Sequence, residues 1–275
     1  MANQSELTKR VITAVFGVSA LLALILFGGK YGVSFLAAVL SIGMMYEFVD
    51  ICYTLPDRVL KQRMMMGIAW LVAFVNFWVP RSEYELLIMV FLGLSVYFLY
   101  TVERHPDDTL ATHYRELMYS IFGVVYLVFL PLYFPLIRDS ANGIHWIVLF
   151  FLINWFADTG AYFAGKRFGK HKLYPLISPK KTMEGALGGL LMAALIAVVY
   201  KLLAFHSMSY VSAILVAVFV GIASQLGDLC ESFLKRANNK KDSGALLPGH
   251  GGLLDRFDGV VFSLPVMYAC IRTLG

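Results

Sequence analysis

Asp158 and Asp228 lie inside long apolar runs. An ionisable side chain within a membrane helix costs about 2.5–3.5 kcal/mol on insertion scales, so its presence points to function. Helical periodicity places Asn154, Asp158 and Tyr162 on one stripe that leads to Lys166. At about 1.5 Å per residue, Asp158 sits about 12 Å inward from Lys166, and the stripe can line a recess. A carboxylate paired with a neighbouring helix is the plainer alternative. Farther on, Asp228, Glu231, Ser232 and Lys235 follow i, i+3, i+4, i+7 spacing and share a polar face, and Asp255 and Asp258 share another if that stretch is helical. Carboxylates close to Lys and Arg, without a His or Cys ligand set, suit a hard, oxygen-seeking ion such as Mg2+ bound together with phosphate; zinc does not fit. Glu47 and Asp50 stand beside Arg58 and Lys61, where surface ion pairing is an adequate explanation.

The basic residues divide in the same way. Lys166, Arg167, Lys170 and Lys172 suit either phosphate binding or simple attraction to anionic headgroups. In Ser178-Pro179-Lys180-Lys181-Thr182 the proline predicts a rigid turn that packs two ammonium groups and two hydroxyls together, ahead of Glu184-Gly185 at the mouth of a helix. Such a turn can hold a triphosphate. In Pro248-Gly249-His250-Gly251-Gly252 the glycines let backbone amides approach phosphate oxygens, although the string reads equally well as a loop. His250 by itself is a cap or a hydrogen-bonded residue more often than a ligand.

These groups need a frame, and composition says of what kind. Of 275 residues 59% are hydrophobic and 15% charged, whereas soluble domains carry about 25% charged residues. That excludes a soluble globular domain and a disordered tail. Cys52, Cys230 and Cys270 are odd in number and have no Cys-x-x-Cys spacing, which argues against a disulfide scaffold or thiolate zinc site. Apolar runs of about 20 residues, the length a bilayer requires, predict an all-α polytopic membrane protein. We place nine spans, near 11–28, 31–51, 64–80, 84–102, 117–137, 144–165, 185–205, 209–230 and 259–274. The first run leads directly into the second without a small-residue cleavage site, and reads as a retained helix.

Orientation follows from charge. With a cytoplasmic amino terminus and an external carboxyl terminus, only Lys30, Arg81, Arg138, Lys201 and Arg272 of the 23 Lys and Arg residues fall on or near the outer side. The net charge of +5 is thus read as topology, with no nucleic-acid partner expected. Residues 1–140 form the first five spans, and 141–275 form a catalytic region with cytoplasmic segments 166–184 and 231–258. Short outer connections leave no room there for a folded domain, so the chemistry belongs inside.

The last cytoplasmic segment carries a denser signal. Ser232-x-x-Lys235-Arg236, Lys241-Asp242, Gly244, Leu247-Pro248-x-His250-Gly251-Gly252 and Asp255-Arg256-x-Asp258 resemble, position for position, the signature of the phosphatidate cytidylyltransferases, or CDP-diacylglycerol synthases. Asp158-Thr159-Gly160-Ala161-Tyr162, Gly165-Lys166, Ser178-Pro179-Lys180-Lys181-Thr182 and Gly227-Asp228 are similar to further parts of that pattern. The likeness is specific over about 154–258 and only architectural over the first 140 residues.

The resemblance implies an enzyme that joins CTP and phosphatidic acid to give CDP-diacylglycerol and pyrophosphate in phospholipid biosynthesis. It implies Mg2+ with a monovalent cation such as K+, a homodimer, a cytoplasmic-membrane location, and carboxylate ligands at Asp228, Asp255 and Asp258. Asp158 would complete or orient that site. Lys180, Lys181, Lys235, Arg236 and Lys241 would hold phosphates, with Tyr162, Lys166, Ser178, Thr182, Ser232 and Arg256 in the substrate site. His250, Gly251 and Gly252 would face the departing pyrophosphate. A secondary transporter would favour a midplane site between repeats, and no repeat is present. A CTP-dependent polyprenol kinase shares part of the chemistry, and a lipid-binding scaffold leaves the ordered acids unexplained.

Overall fold

The computed structural model describes Gly17, Ser19 and residues 21–53, 58–79, 83–104, 109–247 and 251–275. Almost all of the described chain is helical. Residues 21–27 are the continuous described part of α1, followed by α2 (Gly29–Cys52), α3 (Arg58–Trp78), α4 (Glu83–Arg104) and α5 (Leu110–Val124). A π turn at Val125–Phe129 and a 3-10 turn at Leu130–Leu132 lead into α6 (Tyr133–Asp139). Pro131 lies in that 3-10 turn and has no amide to donate, so the regular ladder is rewound there without ending the run. The carboxyl-terminal half contains α7 (Gly143–Phe168), strands β1 (Lys172–Tyr174) and β2 (Ser178–Thr182), α8 (Met183–Leu203), α9 (Tyr210–Ala237) and α10 (Leu254–Leu274).

Among the described residues seven helical runs are long and apolar enough to cross a membrane. Each coincides with one of the nine expected spans. The expected span 11–28 lies largely outside the described residues. The expected span 64–80 is the body of α3, whose beginning carries Arg58, Lys61 and Arg63 and which is not one of the seven.

Two compact units divide the chain. One contains Ser34–Leu132 and Asp242–Leu254; the other contains Leu22–Val33, Tyr133–Lys241 and Asp255–Gly275. The core of the first unit includes Met44, Met45, Phe48, Met65, Tyr126 and Leu127, and α5 approaches α2 so closely at Gly123 that a Cβ there would lie 2.5 Å from the Phe48 ring. Its polar interior departs from the surface pairing expected for Glu47, Asp50, Arg58 and Lys61. Arg58 does bind Asp50, at 3.1 Å. Lys61 instead forms an ion pair with Glu116, beneath Tyr53, whose phenol donates to the Glu116 carbonyl at 2.9 Å. Burial pushes that phenol above its ordinary range. Glu47 is not at the surface at all: it is 1% exposed.

In the second unit small residues decide the packing. On α8, Gly185, Gly189, Ala193 and Ala197 are buried whereas Leu187, Leu191 and Leu195 are exposed. This is the pattern expected where lipid is as apolar as leucine and helices associate through close backbone approach. Gly160 and Gly165 of α7 meet that small-residue face; a Cβ on Gly188 would fall 2.2 Å from Ala164.

The polar segment 166–184 is not wholly irregular or helical. It forms an antiparallel ribbon in which Lys172 pairs with Thr182 and Tyr174 with Ser178. The turn expected at Ser178–Thr182 is therefore a strand, and the chain reverses just before it, where Ile177 N–H donates to the Tyr174 carbonyl at 3.2 Å. In a two-stranded ribbon Pro179 can leave its missing amide facing outward. Thr182 ends the strand and caps α8, its hydroxyl accepting from Gly185 N–H at 3.1 Å.

Candidate active site

The ribbon and three helices of the second unit enclose a recess of about 430 Å³. Asp158, Tyr162 and Lys166 enter it from α7 along the stripe expected from their spacing, and Lys180, Lys181 and Thr182 enter from β2. Gln225 and Asp228 complete it from α9. The Lys181 ammonium forms an ion pair with Asp228, whose other oxygen accepts from the Ser232 hydroxyl at 3.4 Å. One strand cation and one helix carboxylate, 47 positions apart in the chain, thus meet across the recess.

Beside this pair stands a second polar group. Lys235 is clasped between Glu231 and Asp255, 2.5 Å from each. Asp258 lies within electrostatic reach of Asp228, Lys181 and Lys235, and its carboxylate accepts from Gly259 N–H at 2.8 Å. The helix crossing explains the meeting. A Cβ on Gly227 would stand 2.7 Å from the Asp258 carbonyl and 2.9 Å from the Gly259 Cα, and one on Gly259 would stand 2.6 Å from Ser224 Oγ. Glycine at both positions lets the α9 and α10 backbones touch, which brings their adjoining aspartates to one place.

Asp158, Asp228, Glu231, Asp255 and Asp258 are thus linked by contact or by mutual repulsion, with Lys181 and Lys235 set among them. No group of three or more His, Cys, Asp or Glu side chains among the described residues is already gathered as a metal cage. The donor chemistry nevertheless fits a hard cation: oxygen ligands outnumber the ammonium groups that balance them. Glu231 Oε1 is also buried without a hydrogen-bond partner, and an orphaned carboxylate oxygen is costly unless a cation or water satisfies it.

Other expected site residues lie elsewhere. Arg236 donates through Nε to the Ile177 carbonyl at 3.4 Å and through Nη1 to the Lys240 carbonyl at 3.1 Å, so it ties the ribbon turn to the end of α9. Ser178 sits in the ribbon ladder opposite Tyr174, outside the recess lining. Lys241 is exposed just beyond α9, and Arg256 is exposed on α10. Gly251 has φ +85°, a value that favours glycine, and its carbonyl accepts from Leu247 N–H at 3.0 Å. Gly251 and Gly252 belong to the first unit, and His250 lies outside the described residues. Sequence reasoning left Glu231 and Gln225 without a role. Glu231 carried the same signal as Asp228, a carboxylate on a membrane helix, whereas nothing in the spacing singles out Gln225.

The Cytidylyltransferase family model matches residues 8–274. The chain is 33% identical over 267 residues to the phosphatidate cytidylyltransferase of Staphylococcus haemolyticus, covering 94% of this chain and 96% of that protein. With the phosphatidate cytidylyltransferase of Bacillus subtilis it shares 31% identity over 274 residues, covering 96% and 97%. With that of Staphylococcus aureus it shares 32% over 268 residues, covering 94% and 96%.

Proposed function

The chain belongs to the cytidylyltransferase family and is a nucleotidyltransferase, and from that premise we propose that it transfers CMP from CTP to phosphatidic acid within the recess. A lipid phosphate monoester has a second pKa of about 6, so near neutral pH it is already a nucleophile and needs no strong base. Its oxygen forms the new bond to the α-phosphorus of CTP as the bond to pyrophosphate breaks. The obstacle is repulsion between two polyanions, and charge neutralisation is the main catalytic resource. The observation that carries this reading is the convergence of Lys166, Lys180 and Lys181 with Asp158 and Asp228 around one recess.

In this proposal Lys180 and Lys181 receive the triphosphate, and Lys166 with Tyr162 borders the lipid phosphate. Glu231 and Asp255 hold the Lys235 ammonium in place. Asp228, Asp255 and Asp258 would hold Mg2+, which when bound supplies charge neutralisation and polarises the reacting phosphate. Asp158 orients the site from α7, and K+ is the proposed monovalent ion. Arg236 acts by anchoring the ribbon turn that carries the lysine strand. We further propose nine spans with the amino terminus and recess on the cytoplasmic side of the inner membrane, supported by the Lys and Arg distribution, and a homodimeric assembly.

Purified protein given labelled CTP and phosphatidic acid with Mg2+ is expected to release pyrophosphate and form a lipid carrying CMP, and to lose that activity with a chelator. Release of CDP with phosphorylation of an alcohol would overturn the assignment. Substitution of Lys181 by Ala removes a charged contact worth about 1.5–3 kcal/mol, so the KM for CTP should rise about 10- to 100-fold. An unchanged KM would remove Lys181 from the triphosphate site.

A further inference from the structure

The ribbon that carries Lys180 and Lys181 consists of Lys172–Tyr174 and Ser178–Thr182 alone. Two strands of that length have little stability of their own, so the place of the lysines depends on what holds the two ends of the ribbon. Arg236 holds the turn through the Ile177 carbonyl. The other end is gathered by a carboxylate. Glu184, in the first turn of α8, accepts from Lys170 N–H at 3.1 Å and from His171 N–H at 3.2 Å. His171 Nδ1 stands 2.6 Å from Oε1 of the same group, and because a carboxylate only accepts, the ring donates as well. Met183 N–H returns a bond to the His171 carbonyl at 2.9 Å. Gly169 lets the incoming chain run close to the start of α8: a Cβ there would lie 2.8 Å from Thr182 Oγ1. Thr182 and Gly185, on either side of Glu184 in the chain, line the recess, whereas Glu184 does not.

We propose that Glu184 is a positioning residue for nucleotide binding: it ties the chain entering the ribbon, at Lys170 and His171, to the start of α8, and so fixes β2 with the Lys180 and Lys181 ammonium groups at the recess. This role rests on the proposed function, in which those two lysines receive the triphosphate. All of these groups lie within Tyr133–Lys241 of the second unit. A glutamate in a first helical turn is ordinarily explained by the helix dipole. This one does more, because its donors lie 13 and 14 positions back in the chain, on the far side of the ribbon. An ionised acceptor also makes these bonds stronger than the neutral ladder bonds of the ribbon itself.

The test uses the full chain in lipid nanodiscs with two readouts. In Glu184→Ala the Lys170 and His171 amides lose their acceptor, and their hydrogen exchange should be about fivefold faster or more. Steady-state kinetics should show a KM for CTP raised about fivefold or more, with the KM for phosphatidic acid changed by less than about twofold. Loss of folded enzyme alone would lower the apparent kcat and leave both KM values unchanged. Glu184→Gln keeps one acceptor oxygen and should fall between the wild type and Glu184→Ala in both readouts. Gly169→Ala, which presses the incoming chain away from Thr182 while keeping Glu184, should raise the KM for CTP as well. Unchanged exchange at both amides overturns the tie whatever the activity. Faster exchange with an unaltered KM for CTP, or a parallel rise in both KM values, overturns its role in nucleotide binding. If the wild-type protein makes no CDP-diacylglycerol, the exchange result still decides whether Glu184 ties the ribbon, so the two failures are separable.

Discussion

Replacing Asp228 or Asp258 by Asn is expected to lower the rate of CMP transfer by about 1,000-fold or more, equivalent to about 4 kcal/mol of transition-state stabilisation. Asparagine retains the shape of the side chain and removes the charge. At Asp228 the change also deprives Lys181 of its ion-pair partner and takes away a negative charge that Asp258 feels. Relief of that repulsion opposes any loss of packing, so detergent-extracted protein should elute and melt much as the wild type does. Collapse of activity without collapse of the fold is the signature of carboxylates retained for chemistry at some expense in stability. Pyrophosphate release and thermal melting, measured on the same samples, check both halves. Near-normal rates in both variants would remove these two aspartates from the reacting centre.

Gly227→Val is expected to lower turnover by about 100-fold without touching a charged group. Its Cβ alone would stand within 3 Å of the Asp258 carbonyl and the Gly259 Cα, and branching adds bulk directly at the α9–α10 crossing. Overpacking of this kind costs about 1–3 kcal/mol. The helices relieve the contact by separating, which moves Asp228 and Asp258 apart, and a displacement of about 1 Å in a reacting constellation is worth about 100-fold in rate. Gly93→Ala in α4 provides the control: nothing lies within 4 Å of its added Cβ, and alanine favours the helix by about 0.5–1 kcal/mol. Turnover should fall in the first variant and hold in the second. Equal rates in both would mean that close approach of α9 and α10 is not what assembles the site.

The stripe of Asn154, Asp158 and Tyr162 leading to Lys166 was legible in the sequence because helical periodicity alone places those side chains together; the recess receives Asp158, Tyr162 and Lys166, whereas Asn154 is buried and donates to the Phe150 carbonyl. Lys180, Lys181 and Thr182 were legible as a polar cluster, but their backbone was not. Proline and paired cations suggested a turn, whereas cross-strand bonds with Lys172–Tyr174 make the segment a strand. Arg236 was legible as a cation, yet its geometry is that of a tie between carbonyls. Glu47 was misjudged for a related reason: nearby basic residues in the chain are a weak guide to a carboxylate whose donors lie about 200 positions away.

Residue type and spacing by themselves determined the solvent of this chain and its helical class, because hydration cost and helical repeat are properties of a segment alone. Only the tertiary structure decided which segments meet: Lys181 with Asp228, Lys235 between Glu231 and Asp255, and Glu47 with Ser243, Leu246 and Leu254. In lipid, apolar surface gives a helix little reason to prefer one neighbour over another. Partner and register are set by where glycines permit backbones to touch and where buried polar groups find one another, and both depend on pairs of positions far apart in the chain.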